Sequence, residues 1–190
     1  MGLTLCVYCS SSSAVAAPFG ELADRFGTLL GQRGHTLVYG GASVGSMGRL
    51  ARAAQAAGAR VVGVIPEAMV GVEVANQDCD ELVVTESLRA RKAVMDERAE
   101  AFVALPGGFG TLEELLEVLT AKQLGYHRRP VVLVDHDEFW QPLVAWASAL
   151  IQARFAKPSF WDLFALTSEV DVALDLCEQE DGPEPERKWF

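Results

Sequence analysis

The stretch Ala101-Phe102-Val103-Ala104-Leu105-Pro106-Gly107-Gly108-Phe109-Gly110-Thr111-Leu112-Glu113-Glu114 decides the fold. It opens with an unbroken apolar run, short enough for a strand and lacking the alternation expected of a sheet with one wet face. Gly107, Gly108 and Gly110 end that run and leave backbone N–H groups bare. From Thr111 onward Leu112, Leu115, Leu116 and Leu119 recur at helical spacing and form one inner face. The segment therefore reads as buried strand, glycine loop and helix.

The same unit repeats on both sides of it. Short apolar runs at 3–8, 36–39, 60–65, 81–84, 101–105, 131–134 and 164–166 alternate with amphipathic stretches at 19–32, 46–57, 87–100, 111–125, 139–153 and 169–178. Gly34, Gly58 and Gly125 stand where several of these helices should stop. Alternation of this kind predicts an α/β fold, a doubly wound Rossmann-like parallel sheet flanked by helices on both faces. Ligands of such sheets bind beyond the carboxyl ends of the strands where strand order reverses, so the loops after strands are the places to search. Residues 1–177 read as a single domain. Residues 178–190 carry five acids, two bases, Pro183 and Pro185, and read as an acidic mobile tail.

Composition narrows the function classes. A chain of 190 residues that is 50% apolar and 22% charged has material for one sizeable core and is too apolar for disorder. Its 26 acids against 16 bases leave a net charge of −10, which repels a nucleic-acid backbone, so any anionic ligand should be small. No apolar run approaches the ~18–20 residues needed to cross a bilayer. No Lys or Arg precedes Arg25, which argues against a secretory signal, and the expected location is cytoplasmic. Cys6 and Cys9 spell C-x-x-C but lie three apart on a strand and so face opposite sides, as buried thiols rather than a redox pair or metal knuckle. His35, His127 and His136 are scattered and read as surface residues, so no metal site is expected.

Four loops or turns could carry chemistry. Cys9-Ser10-Ser11-Ser12-Ser13 follows the first strand; its hydroxyls and N–H groups, Ser11 among them, could meet a phosphate or ribose, or form a plain turn. Residues 39–48 run from strand to helix through Gly40, Gly41, Gly45 and Gly48, with Gly41, Gly45, Met47 and Gly48 the candidate ligand contacts and a tight β–α turn the alternative. This loop matches neither the G-x-G-x-x-G fingerprint nor a P-loop, which disfavours NAD and Walker-type ATP binding. In the Gly107 loop, Thr111-x-x-Glu114 fits a capping box, while the alternative puts Glu113 or Glu114 in the cleft. Adjacent helical residues point ~100° apart, so the two glutamates should not share one task. Lastly, Arg89-Ala90-Arg91-Lys92 offers a bidentate cation and a point charge, or simply a solvated helix face.

Arg91-Lys92, followed fourteen positions later by Pro106-Gly107-Gly108-Phe109-Gly110-Thr111-Leu112-Glu113-Glu114, resembles the LOG (Lonely Guy) family of cytokinin riboside 5′-monophosphate phosphoribohydrolases, which carries P-G-G-x-G-T-x-x-E with an upstream R-K pair. The similarity runs from residues 9–13 through 40–48 to Lys122-Gln123-Leu124-Gly125. The resemblance implies a Rossmann-like homodimer that hydrolyses the N-glycosidic bond of a nucleoside 5′-monophosphate, a cytokinin riboside 5′-monophosphate or AMP, to free base and ribose 5-phosphate without cofactor or metal. It implies Arg91 and Glu114 as catalytic residues. Lys92, Gly107, Gly108, Phe109, Gly110, Thr111, Glu113, Glu73 and Thr120 would line the nucleotide site. Leu88-Arg89 stands where the family often has Met-His, and Gly40-Gly41-Ala42-Ser43-Val44-Gly45-Ser46-Met47-Gly48 where it often has G-G-G-x-x-G-L-M-G; these departures bear on base preference and rate. A carboxylate suits such a reaction, since breaking the C–N bond develops oxocarbenium charge on the ribose. Two rivals are a non-catalytic nucleotide or cofactor carrier on the same fold and a lysine decarboxylase. The latter needs a Schiff-base lysine, and none of Lys92, Lys122, Lys157 and Lys188 has an evident context for one.

Overall fold

The computed structural model describes residues 2–71 and 74–179. Among them, seven strands form one parallel sheet: β1 (Thr4–Tyr8), β2 (Thr36–Tyr39), β3 (Val61–Pro66), β4 (Glu81–Thr85), β5 (Ala101–Ala104), β6 (Val131–Val134) and β7 (Ala165–Thr167). Their order across the sheet is β4-β3-β2-β1-β5-β6-β7. Six α-helices connect and cover them: α1 (Ala17–Gln32), α2 (Gly45–Ala56), α3 (Leu88–Arg98), α4 (Phe109–Gln123), α5 (Gln141–Gln152) and α6 (Val170–Cys177). Short 3₁₀ turns at Glu67–Met69 and Pro158–Leu163 were not legible as elements in the sequence.

Alternation along the central strands feeds two cores. Leu5, Val7 and Cys9 pack with Phe26, Leu30 and Leu50 beneath α1, α2 and α6. Cys6 and Tyr8 pack with Met95, Phe102 and Leu115 beneath α3 and α4. The doubly wound sheet with both faces covered is thus the one the continuous apolar runs predict, and the two C-x-x-C sulfurs are free thiols in opposite cores.

Three local expectations are corrected. First, α4 starts at Phe109 rather than Thr111, with Gly108 as N-cap and no side-chain cap bond, so of the two readings of Thr111 and Glu114 the capping box is the one that does not form. The extended backbone of Gly108 admits the helix two residues early, and tertiary contacts claim the glutamate. Second, His35 is buried rather than on the surface: its Nδ1 accepts the Leu3 N–H at 3.0 Å and its Nε2 lies 3.0 Å from Glu178. Third, His127 is half-buried, its ring centroid 5.4 Å from that of Phe102 and its Nε2 3.1 Å from the Val118 carbonyl oxygen. Glu178 also pairs with Arg33 and so belongs to the folded end of α6. Residues 180–190 of the expected tail lie outside the described residues.

Burial, followed by the Arg129 charge, holds the His127 pKa below its ordinary 6.5. In the unfolded chain the ring takes a proton near pH 6.5. Its stabilising contribution is therefore complete above about pH 6.5 and is lost as pH falls through the lower folded value. His127→Phe is expected to flatten the drop in melting temperature between about pH 7.5 and about pH 5, and an unchanged slope would contradict this origin.

Candidate active site

Strand order reverses between β1 and β5: β2, β3 and β4 extend to one side, β6 and β7 to the other. The crevice above the carboxyl ends of β1 and β5 is where a parallel sheet opens to ligands. The loop after β1, the glycine loop after β2 and the Gly107 loop after β5 all converge there.

The serine loop is internally braced, with the Ser12 N–H donating to Ser10 Oγ at 3.1 Å and the Ala14 N–H to Ser12 Oγ at 3.2 Å. The Met47 N–H donates to the Ser10 carbonyl at 3.0 Å and ties this loop to the first turn of α2. Gly45 is needed twice at that junction. Its φ is +61°, and a Cβ would stand 2.5 Å from the Ser11 carbonyl carbon.

The β2 loop is propped from behind by a segment the sequence did not single out. Ala42 bridges Ala75, the Asn76 N–H donates to the Gly41 carbonyl at 2.8 Å, and Asn76 Nδ2 donates to Tyr39 Oη at 2.9 Å. Asn76 sits in no motif, and only its pairing with a strand 37 positions away shows its role. Glu73, expected in the site, lies outside the described residues. Gly40 is the second omission. A Cβ there would overlap Arg91 Nη2 and the Met47 methyl, so the guanidinium lies over bare backbone.

Arg91 and Glu114 meet beneath these loops. Ser87 caps α3 by accepting the Ala90 N–H at 3.1 Å, and one turn later Arg91 turns inward with only 5% exposure. Its Nη2 lies 3.2 Å from Glu114 Oε1, and Glu114 is 7% exposed. Arg91 Nε is buried without a hydrogen-bond partner among the described residues. Leaving a buried donor unpaired costs about 1–3 kcal/mol, which a ligand acceptor would recover. Tyr8, at the end of β1, faces the same helices and lines with Glu114 a cavity of about 260 Å³ between α3 and α4. Burial, then Cys6, raises the Tyr8 pKa, so this phenol stays protonated.

The two neighbouring glutamates separate as helical geometry requires. Glu114 points inward to Arg91, whereas exposed Glu113 bonds to Lys92, which also bonds to Glu117. Thr111 is buried against Gly107, while Gly108 and Gly110 are open and Phe109 is 93% exposed. Ser11 sits in the braced serine loop, and Met47 and Gly48 in the first turn of α2 to which that loop is tied. Thr120 is exposed on α4 six residues beyond Glu114, roughly 9 Å farther along the axis at 1.5 Å per residue, and is not drawn into this cluster. On the other flank of α4, Gly107, Phe109, Leu112, Phe139, Leu143 and Trp146 line an open apolar hollow of about 520 Å³.

Two of the lysines are already engaged. Lys92 Nζ is held between two carboxylates, and buried Lys122 donates to the Arg129 carbonyl at 3.0 Å. No group of three or more His, Cys, Asp or Glu residues able to hold a metal occurs among the described residues.

Comparison with known proteins matches residues 47–177 to a family described as possible lysine decarboxylase. A cytokinin riboside 5′-monophosphate phosphoribohydrolase of Mycobacterium tuberculosis is 41% identical over 92% of this chain and 92% of its own. One from Arabidopsis thaliana is 42% identical over 96% of this chain and 82% of its own. Among solved structures, the molybdenum cofactor binding protein of Rippkaea orientalis superposes with a TM-score of 0.70 at 21% identity, covering 93% of this chain and 95% of that one. The molybdenum cofactor carrier protein of Chlamydomonas reinhardtii gives 0.67 at 21% identity, covering 92% and 95%. At such identity these two speak for the fold alone. Identity above 40% across nearly the whole chain places it in the LOG family, whose curated members bear the name cytokinin riboside 5′-monophosphate phosphoribohydrolase.

Proposed function

We propose that the protein hydrolyses the N-glycosidic bond of a nucleoside 5′-monophosphate, a cytokinin riboside 5′-monophosphate or AMP, to free base and ribose 5-phosphate. The observation that carries this reading is the buried Arg91–Glu114 pair at the strand-order reversal, with an unpaired Arg91 Nε, framed by two glycine loops. The open N-terminus of α4 at Gly108, Phe109 and Gly110 supplies N–H donors and a favourable dipole for the 5′-phosphate. Water oxygen bonds to C1′ as the C–N bond breaks and its electron pair leaves on the base. Glu114 offsets the oxocarbenium charge and takes a water proton, which ends on the base nitrogen. Arg91 orients the substrate and offers its free Nε–H to the departing base. Gly107, Thr111, Ser11, Gly41, Gly45, Met47 and Gly48 shape the walls.

Exposed Leu88, Phe109, Leu124 and Trp146 stand on the α3, α4 and α5 layer and give a second copy apolar surface to bury. The protein is a homodimer in this reading, and light scattering should return about twice the 20.5 kDa chain mass. Its cysteines are free thiols, Cys6, Cys9 and Cys177 buried, which suits the reducing cytoplasm. Incubation with AMP and with N6-isopentenyl AMP, followed by chromatography of base and ribose 5-phosphate, tests the reaction. Release from either establishes it and ranks the substrates. Nucleotide binding without release would point to a carrier.

A further inference from the structure

Three ion pairs join α3 to α4. Arg91 meets Glu114, and the next residue on α3, Lys92, bonds to both Glu113 and Glu117. Family resemblance lines the nucleotide site with Lys92, yet this ammonium is already held by two carboxylates. The three groups sum to a charge of −1, so a phosphate approaching Nζ would meet like charge at close range. Burial opposes the ammonium charge, but Glu113 and Glu117 outweigh it and raise the pKa above its ordinary value. The backbone N–H groups at the start of α4 face no such competition.

Glu113 and Glu117 are one turn apart on one face of α4, and Glu114 points roughly 100° from the first and 60° from the second at 3.6 residues per turn. Anchoring that face therefore sets where Glu114 points. We propose that Lys92 is a positioning residue rather than a phosphate ligand: by bridging Glu113 and Glu117 it fixes the rotation of α4 against α3 and holds Glu114 on Arg91. The inference rests on the hydrolysis proposed above, since it is Glu114 in that reaction that Lys92 positions.

The test compares wild type, Lys92→Met, Lys92→Arg and the double variant Glu113→Gln/Glu117→Gln on AMP, with inorganic phosphate as a competing anion. A displacement near 1 Å can cost about 10²-fold in rate. Lys92→Met should accordingly lose on the order of 10- to 100-fold in kcat while KM for AMP and inhibition by phosphate stay within about twofold. Lys92→Arg should recover most of that loss. Glu113→Gln/Glu117→Gln leaves the lysine in place without its anchors and should also lose kcat, and it reports on the role even where Lys92→Met folds poorly. A phosphate-ligand role predicts the reverse: KM rises and phosphate inhibition weakens in Lys92→Met, and freeing the ammonium by Glu113→Gln/Glu117→Gln lowers KM. That pattern, or an unchanged kcat in both variants, overturns the positioning role. Wild type is read first, because absence of ribose 5-phosphate from wild type overturns the reaction itself.

Discussion

Glu114→Gln is expected to release free base on the order of 10²–10⁴ times more slowly than wild type while remaining folded and able to bind nucleotide. Glutamine keeps the shape of the side chain and an oxygen acceptor for Arg91 Nη2, now 3.2 Å from the carboxylate. What it loses is the negative charge and the basicity that the attacking water requires. Both losses act in the transition state, so kcat should fall with little change in KM. Glutamine strands the Arg91 cation, a cost of up to about 3–5 kcal/mol that the retained hydrogen bond reduces and that a fold stable by about 5–15 kcal/mol can absorb. Glu113→Gln serves as the contrast, because Glu113 is exposed and Lys92 keeps its bond to Glu117. Retention of more than about a tenth of wild-type turnover by Glu114→Gln would remove Glu114 from the chemistry.

Arg91→Met should destabilise the fold by about 3–5 kcal/mol, the usual consequence of stranding one partner of a buried ion pair. Methionine resembles the aliphatic part of the arginine side chain but leaves the Glu114 carboxylate, 7% exposed, without its cation. Adding Glu114→Leu removes the stranded charge and should restore much of the lost stability, since apolar replacement of a buried pair is often neutral or better. The double variant should nevertheless be inactive. Urea denaturation of the two single variants and the double variant measures the coupling directly. A double variant no more stable than Arg91→Met would mean that Arg91 supports the fold through Gly40 and α3 packing rather than through its partner.

Strands and helices are largely legible in the sequence. Parallel strands buried on both faces show as continuous apolar runs, and Gly34, Gly58 and Gly125 mark the places where helices stop. Thr111-x-x-Glu114 satisfies a local capping rule as well as a place in the cleft, and what decides between the two is Arg91, 23 residues earlier in the chain. α3 carried a similar ambiguity. Only Arg91 and Met95 are buried on that helix, so its pattern resembles that of a solvated one until the glycine loops are placed around Arg91. The burial of His35 is invisible in the sequence, because no local pattern announces that its ring closes on the Leu3 N–H and Glu178.

By itself the sequence determined the fold class, the order of elements and the family, because these depend on periodicity, turn residues and a motif that are all local in the chain. Only the tertiary structure decided which glutamate faces the cleft, that the Arg91 guanidinium lies over the bare backbone of Gly40, that Asn76 props the β2 loop and that Lys92 is already paired. Each of these turns on contacts between segments tens of residues apart. Such contacts exist only after the sheet brings the carboxyl ends of β1, β2 and β5 together and sets α3 against α4.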